Sequence, residues 1–316
     1  MICRICGNSQ NNTEYKIREM LFGTREVFEY FQCSNCNCLQ IKDFPEDLSK
    51  HYPENYLSYE LKKDNSLKEY LNKKRDAVAM GNRSLIGRIL LALIGVPPYV
   101  KRLRQAQIKI DDKIVDVGCG HGSLIYRMKN AGFENVVGID PFVDSDINYE
   151  NGLVIYKKSL FDLERKFDLV SLFHVLEHME DQFEVLKKIH SLLNENKYAF
   201  IGIPIVDSYS WDKYKENWIS LDAPRHFYLH SLKSINIVAE QSGFKIEKIE
   251  YDSLGTQFWG SEQYEKDIAW YEDDSYFVNP SKSAYTKKML KMFDEKAAQA
   301  NNERMGDRAL FYLKRI

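Results

Sequence analysis

The run Asp116-Val117-Gly118-Cys119-Gly120-His121-Gly122 sets an acid two residues ahead of three alternating glycines. Glycines at a strand-to-helix turn let the backbone bend tightly and approach a ligand closely, because no Cβ intervenes. Asp140 follows the next apolar run, Val136 to Ile139. A carboxylate there accepts hydrogen bonds from both hydroxyls of a ribose. Together these residues suit a cofactor that contains adenosine, and charge decides which one. A dinucleotide fingerprint places its third glycine at position 123, which is Ser123 here, and an acid at 116 repels a pyrophosphate. The same acid suits the ammonium of a methionyl group, so the expected cofactor is S-adenosylmethionine. Cys119 reads as a small residue inside the turn and His121 as a solvated loop residue.

A second chemistry lies near the N-terminus. Five of the six cysteines precede residue 39, and four form two pairs, Cys3-x2-Cys6 and Cys33-x2-Cys36. Two intervening residues let both sulfurs of a turn face one metal, and two such pairs close a tetrahedral thiolate site. Cys38 is an alternative to Cys36. Four thiolates leave no open position, so the expected zinc is structural, and it clips a segment too small to hold its own core. The pattern points to a reducing compartment rather than to disulfides.

Methyl transfer to a hydroxyl requires removal of a proton, and histidine is the natural base near neutral pH. His178 follows the fourth apolar strand run. His226 ends the aromatic stretch in Leu221-Asp222-Ala223-Pro224-Arg225-His226-Phe227. For His226 the reading leaves open a base or a structural hydrogen bond; for His178 bracing of the loop is the plainer role. Arg225 is a candidate to bind a phosphate or carboxylate of the acceptor.

The elements that must position these residues alternate. Strand runs are expected at 114–117, 136–139, 153–156, 167–173 and 198–203, with a helix over 123–130. Asp181 and Glu184 have capping-box spacing ahead of a further helix. This pitch predicts an α/β fold with a doubly wound, mostly parallel sheet, which binds ligands beyond the carboxyl ends of its strands. A helix over 231–241 and strands at 244–251 and 309–314 complete it. Three parts are expected: a zinc-ribbon-like module over 1–45, a helical linker over 46–110 anchored by Tyr52, Tyr56, Tyr59 and Leu61, and the catalytic domain over 111–316. That domain carries an aromatic insertion over 205–230, expected to form a lid core, and a second insertion over 252–305.

The chain has 316 residues and a net charge of −2, which gives no global sign of a nucleic-acid partner. The N-terminus lacks the apolar run of a secretory signal, so a cytoplasmic location is expected. The apolar stretch Leu85 to Val96 is interrupted by Arg88 and is shorter than the roughly 20 residues of a membrane-spanning helix. An amphipathic helix packed on the catalytic domain is expected there, with a peripheral membrane contact as the alternative.

Asp116 to Gly122, Gly138-Ile139-Asp140, and Phe167-Asp168-Leu169-Val170 through His174-Val175-Leu176-Glu177-His178 resemble the successive motifs of class I methyltransferases, over about residues 110–251. The resemblance implies a cofactor cleft lined by Asp116, Gly118, Cys119, Gly120, Asp140, Asp162, Phe173 and His174. The cysteine pairs ahead of such a core resemble bacterial sugar methyltransferases, including those that methylate carbon on nucleotide-linked deoxysugars. That resemblance implies a sugar acceptor, nucleotide-linked or in a surface glycan of a polysaccharide pathway. The catalytic histidine of that family follows an acid, whereas Arg225 precedes His226, which shifts the expectation from carbon to oxygen. The alternatives are a zinc-module RNA methyltransferase and a non-catalytic docking protein that senses the cofactor. Against RNA stand the charge balance and the absence of an Asn/Asp-Pro-Pro-aromatic turn after the fourth strand, the mark of base amino-methylation. Oligomeric state is left open.

Overall fold

The computed structural model describes residues 1–52 and 66–316; the expected anchors Tyr56, Tyr59 and Leu61 lie outside them. The chain opens with strands β1 (Thr13–Arg18), β2 (Val27–Gln32) and β3 (Leu39–Ile41), then helices α1 (Ser66–Ala79), α2 (Leu85–Ile94) and α3 (Pro98–Gln105). The alternating part runs β4 (Ile114–Val117), α4 (Ser123–Asn130), β5 (Val136–Ile139), β6 (Ile147–Asn148), β7 (Val154–Tyr156), β8 (Phe167–Phe173), α5 (Gln182–Leu192) and β9 (Leu193–Pro204). It is followed by α6 (Tyr209–Tyr214), β10 (Tyr228–Leu229), α7 (Leu232–Gln241) and β11 (Phe244–Tyr251). Helices α8 (Thr256–Glu265) and α9 (Lys287–Asn302) precede the last strand, β12 (Arg308–Arg315).

Two compact units are formed. Among the described residues one comprises 66–173, 187–200 and 312–316; the other comprises 1–52, 174–186 and 201–311. In the first unit the strand order is β12-β9-β8-β4-β5-β7-β6. The β4–β5, β4–β8 and β5–β7 pairs are parallel, and the short edge strand β6 runs antiparallel to β7. All four residues of β4 are buried, as a parallel strand covered on both faces requires. The helical segment is tied to this sheet through two acids. Asp76 accepts from Tyr99 and Arg127, each at 2.9 Å, which joins α1 to α3 and α4. Glu69 accepts from Tyr126 at 3.0 Å and from Asn130 at 2.9 Å.

In the second unit, β1, β2 and β3 form an antiparallel sheet whose fourth strand is β10. The N-terminal segment therefore draws its closing strand from residues 228–229. The aromatic stretch packs inward: Trp211, Tyr214, Trp218, Phe227 and Tyr228 are buried, and only Tyr209 among the named aromatics is exposed. The 252–305 segment forms an aromatic cluster in which Trp259 stacks on Trp270 and Tyr271 stacks on Phe22. Among the described residues no helix is long and apolar enough to cross a membrane.

Candidate functional site

The glycine turn after β4 is built as the chemistry of a close ligand requires. Gly118, Gly120 and Gly122 all have positive φ, 64°, 52° and 73°, which side chains with a Cβ rarely adopt. Gly138 on β5 is needed for a different reason: a Cβ there would lie 2.4 Å from the Cys119 sulfur. Cys119 is thus the residue that fills the gap between the turn and β5, and burial pushes its thiol pKa upward. The turn leads into a cavity of about 270 Å³, close to the lower bound of roughly 300 Å³ for ligand clefts. Asp116, Gly118, Cys119, Ser171 and Phe173 line one part of it, and Tyr99 and Arg102 of α3 another.

Asp116 lies opposite Ser171 in the β4–β8 register, and Ser171 donates to its carboxylate at 2.6 Å. Burial raises the Asp116 carboxyl to about 7, against the opposing effect of that hydrogen bond. A cationic ligand group would supply the charge the carboxylate lacks. Asp140 braces the turn, accepting from the Gly120 and Phe142 amides at 2.8 Å each. Its place after β5 is the one expected, but it does not line the cavity. Asp162 closes a capping box with Ser159 on an exposed turn, where the Ser159 amide holds its pKa below the usual carboxylate range. Asp162 is a turn cap outside the cavity lining. His174 is half exposed and also outside that lining.

In the other unit, the sulfurs of Cys3, Cys6, Cys33 and Cys36 lie within 4.8 Å of one another. The Cys3–Cys36 and Cys6–Cys33 separations are both 3.5 Å, near the roughly 3.8 Å spacing of thiolates around a tetrahedral zinc with bonds of about 2.3 Å. Gly7 and Asn37, each the residue after the second cysteine of its pair, take positive φ and return their amides to the carbonyls of Cys3 and Cys33. Gln40 donates to the Cys3 sulfur at 3.1 Å. Cys38 stands outside this group.

The same unit assembles a polar cluster. His226 is buried; its Nδ1 is 2.8 Å from the Ser220 carbonyl, which leaves Nε2 turned to Glu177 Oε1 at 4.0 Å and Asp222 Oδ2 at 3.8 Å. Burial, with His178 adding to it, lowers the His226 pKa to about 4, so its imidazole is neutral at pH 7. His178 packs edge-on at 4.7 Å, its Nδ1 2.8 Å from the Arg225 carbonyl and 3.2 Å from the Tyr52 hydroxyl. Glu177 was missed by sequence reasoning. It is fully buried, approached by His174 Nδ1 at 3.3 Å, and its Oε2 has no hydrogen-bond partner. Burial would raise its pKa, but His174 and the adjacent imidazoles outweigh that and hold it at about 2. The available sign was an acid three residues after a histidine in an apolar run.

Arg225 corrects another expectation. It is completely buried, donating to Glu19 at 2.8 Å, to Asp222 at 2.7 Å and to the His51 carbonyl at 3.1 Å. All of its nitrogens are engaged inside the unit, so it does not bind an acceptor. Its role is to clamp the loop of His226 to the N-terminal segment.

A profile described as "Methyltransferase domain" matches residues 88–249. A tRNA U34 carboxymethyltransferase of Campylobacter hominis is 32% identical over 105 residues, 30% of this chain and 37% of that protein. The enzyme of the same name from Aliarcobacter butzleri is 27% identical over 193 residues, 56% of this chain and 61% of that protein. The chain thus spans between about a third and three-fifths of these relatives' length. Among solved structures, a SAM-dependent methyltransferase from Archaeoglobus fulgidus has 20% identity and a TM-score of 0.41, covering 73% of this chain and all of that one. Magnesium protoporphyrin IX methyltransferase from Synechocystis has 15% identity and a TM-score of 0.40, covering 82% of this chain and 91% of that one. These structural likenesses are too distant to carry an argument.

The curated relatives overturn the sugar or glycan acceptor, the polysaccharide setting and the absence of a nucleic-acid partner expected from sequence. Two arguments had pointed away from RNA, and neither holds physically. A net charge of −2 is a sum, and it conceals residues 66–105, which carry nine Lys and Arg against two acids. The missing Pro-Pro-aromatic turn marks amino-methylation of bases and is silent on other RNA positions. A non-catalytic sensor is likewise set aside, because the profile covers half of the chain and its glycine turn and acids are intact. The chain belongs to the methyltransferase domain family, with a Rossmann-like α/β fold and a cavity formed by the motifs that serve S-adenosylmethionine in that family.

Proposed function

We propose that this chain transfers a methyl-derived group from S-adenosylmethionine, or a close relative of it, to RNA, with tRNA as the first acceptor to test. The RNA reading rests on the matches to tRNA-modifying enzymes. When bound, the cofactor supplies a carbon already activated by its sulfonium. The residues of the chain have the remaining tasks of holding, aligning and deprotonating. Asp116 would hold the methionyl ammonium. The glycine turn, with Cys119 filling its inner side and Asp140 behind it, would shape the adenosine end, and Phe173 would close the cavity.

His226 is the proposed base. Its Nδ1 is committed to a backbone carbonyl, which leaves the Nε2 lone pair free. Glu177 and Asp222 lie within 4.0 Å of that nitrogen and would stabilise the imidazolium formed when it takes a proton. His178 orients the pair. The four cysteines are proposed to hold a structural zinc, since thiolates fill every position of a tetrahedral site.

Incubation of the protein with labelled cofactor and host RNA, then mass analysis of the nucleosides, tests this reading and tells methyl from carboxymethyl. Label in tRNA that vanishes with Asp116→Ala supports it; label in protein or small molecules alone refutes it. For zinc, metal content should be one per chain, lost in Cys33→Ser together with cooperative unfolding, and retained in Cys38→Ser.

A further inference from the structure

Helix α2 presents an apolar face that the described residues leave uncovered. Leu85, Ile86, Ile89, Leu93 and Ile94 are between 47% and 79% exposed. At about 100° per residue, the first four fall within one arc of roughly 100° on the helix. The orientation of that arc is fixed from behind. A Cβ on Gly87 would lie 2.3 Å from the Lys74 carbonyl, so α2 is locked to α1 along its inner side and the aliphatic arc is turned outward. Ser84 caps the helix by accepting from the Gly87 amide at 3.2 Å.

Cations surround this face. Residues 66–105 hold nine Lys and Arg and two acids, and both acids are consumed internally: Asp76 by Tyr99 and Arg127, Glu69 by Tyr126 and Asn130. What the segment shows outward is therefore positive, and Lys73, Arg83, Arg88, Lys101 and Arg104 are exposed. An arc of aliphatic side chains flanked by cations on a helix of about 15 Å, too short to span a bilayer, matches a helix lying in the plane of a lipid surface.

We propose that α2 docks this enzyme on an anionic membrane surface. Leu and Ile insert among acyl chains, and the surrounding Lys and Arg meet lipid phosphates. A second copy fits less well, because a two-fold contact would press two positively charged segments together. RNA fits the cations but gives aliphatic side chains nothing to bury against, since bases are bound by stacking on aromatic rings and guanidinium planes.

The test is flotation of the full chain with vesicles of phosphatidylcholine alone or mixed with phosphatidylglycerol. Binding is expected only to the anionic vesicles and should fall when salt rises from roughly 0.05 to 0.5 M. Ile89→Asp should lower the bound fraction about tenfold, and Arg88→Glu about threefold at low salt. Both sites are exposed, so near-ultraviolet dichroism and cofactor affinity should match the parent. Equal binding to neutral vesicles, or flotation with neither, overturns the proposal. A concentration-dependent dimer dissolved by Ile89→Asp overturns it in favour of self-association, and loss of RNA retention in that variant does so in favour of RNA.

Discussion

Asp116 and Glu177 are both carboxylates removed from water, yet their surroundings drive them in opposite directions. Asp116 has a single hydroxyl for company, and burial lifts it to about 7. Glu177 is as deeply buried, but His174, His178 and His226 more than offset the loss of water and keep it ionised, at about 2. The first site is short of one positive charge and gains most from a ligand that carries it. The second already has its imidazole partners in place and is poised with or without a ligand. Burial alone therefore does not set a carboxylate's behaviour; what stands within 4 Å of it does.

Removing the charge at the first site should have the largest effect. Asp116→Asn keeps the shape, and we expect cofactor affinity by calorimetry to fall about 100-fold at pH 7.5. A loss below about threefold would mean that the ammonium is held elsewhere.

Proton linkage sharpens the comparison, because the two acids have opposite signs. The Asp116 pKa is raised above its ordinary value, so its protonated form favours the ligand-free fold. That contribution, on the order of 4 kcal/mol, is present below pH 4 and is lost as pH rises to about 7. The Glu177 pKa is lowered, so its contribution, on the order of 3 kcal/mol, is present above about pH 4.5 and is lost as pH falls toward 2. Urea titrations across pH should show Asp116→Asn flattening the first slope and Glu177→Gln the second. Flattening of the same slope by both variants would erase the distinction. Cofactor affinity should also rise about tenfold per pH unit below 7 and then level off.

Glu177→Gln should lower turnover about tenfold, leave the KM for cofactor unchanged and move the acidic limb of the pH profile. An unchanged kcat would make the cluster purely structural. The smallest effect belongs to Asp162→Ala, for which cofactor affinity within about twofold of the parent is expected, given its exposed turn outside the cavity lining.

The cofactor half of the fold was legible because its signals are local. Strands β4, β5 and β8 and helix α4 fall on the expected residues, since a parallel strand covered on both faces reads as one apolar run and the glycine turn marks its end. Strand β9 begins five residues before the expected start, over Leu193-Asn194-Glu195-Asn196-Lys197, where polar side chains hide an extended backbone. Strands β6 and β10, two residues each, leave no periodicity to detect. The cysteine spacing was legible for the same local reason. The burial of Arg225 was not, because its partners Glu19 and His51 are far away in sequence; only Asp222, three residues before it, gave a hint. The outward face of α2 was expected to pack on the catalytic domain, and its exposure depends on Gly87 and Lys74, a contact that spacing does not reveal.

The sheet β1-β2-β3-β10 also bears on the order in which the chain is made. All four clustered cysteines precede residue 37, so the zinc proposed for them would have its ligands early in translation. The fourth strand and the Arg225 clamp follow only after residue 229 has left the ribosome. Through that interval the cysteine cluster and the Arg4 bonds to residues 40–42 tie this segment, and three strands wait with an open edge. Metal starvation during synthesis should therefore harm the yield of this protein far more than the same starvation imposed on finished molecules.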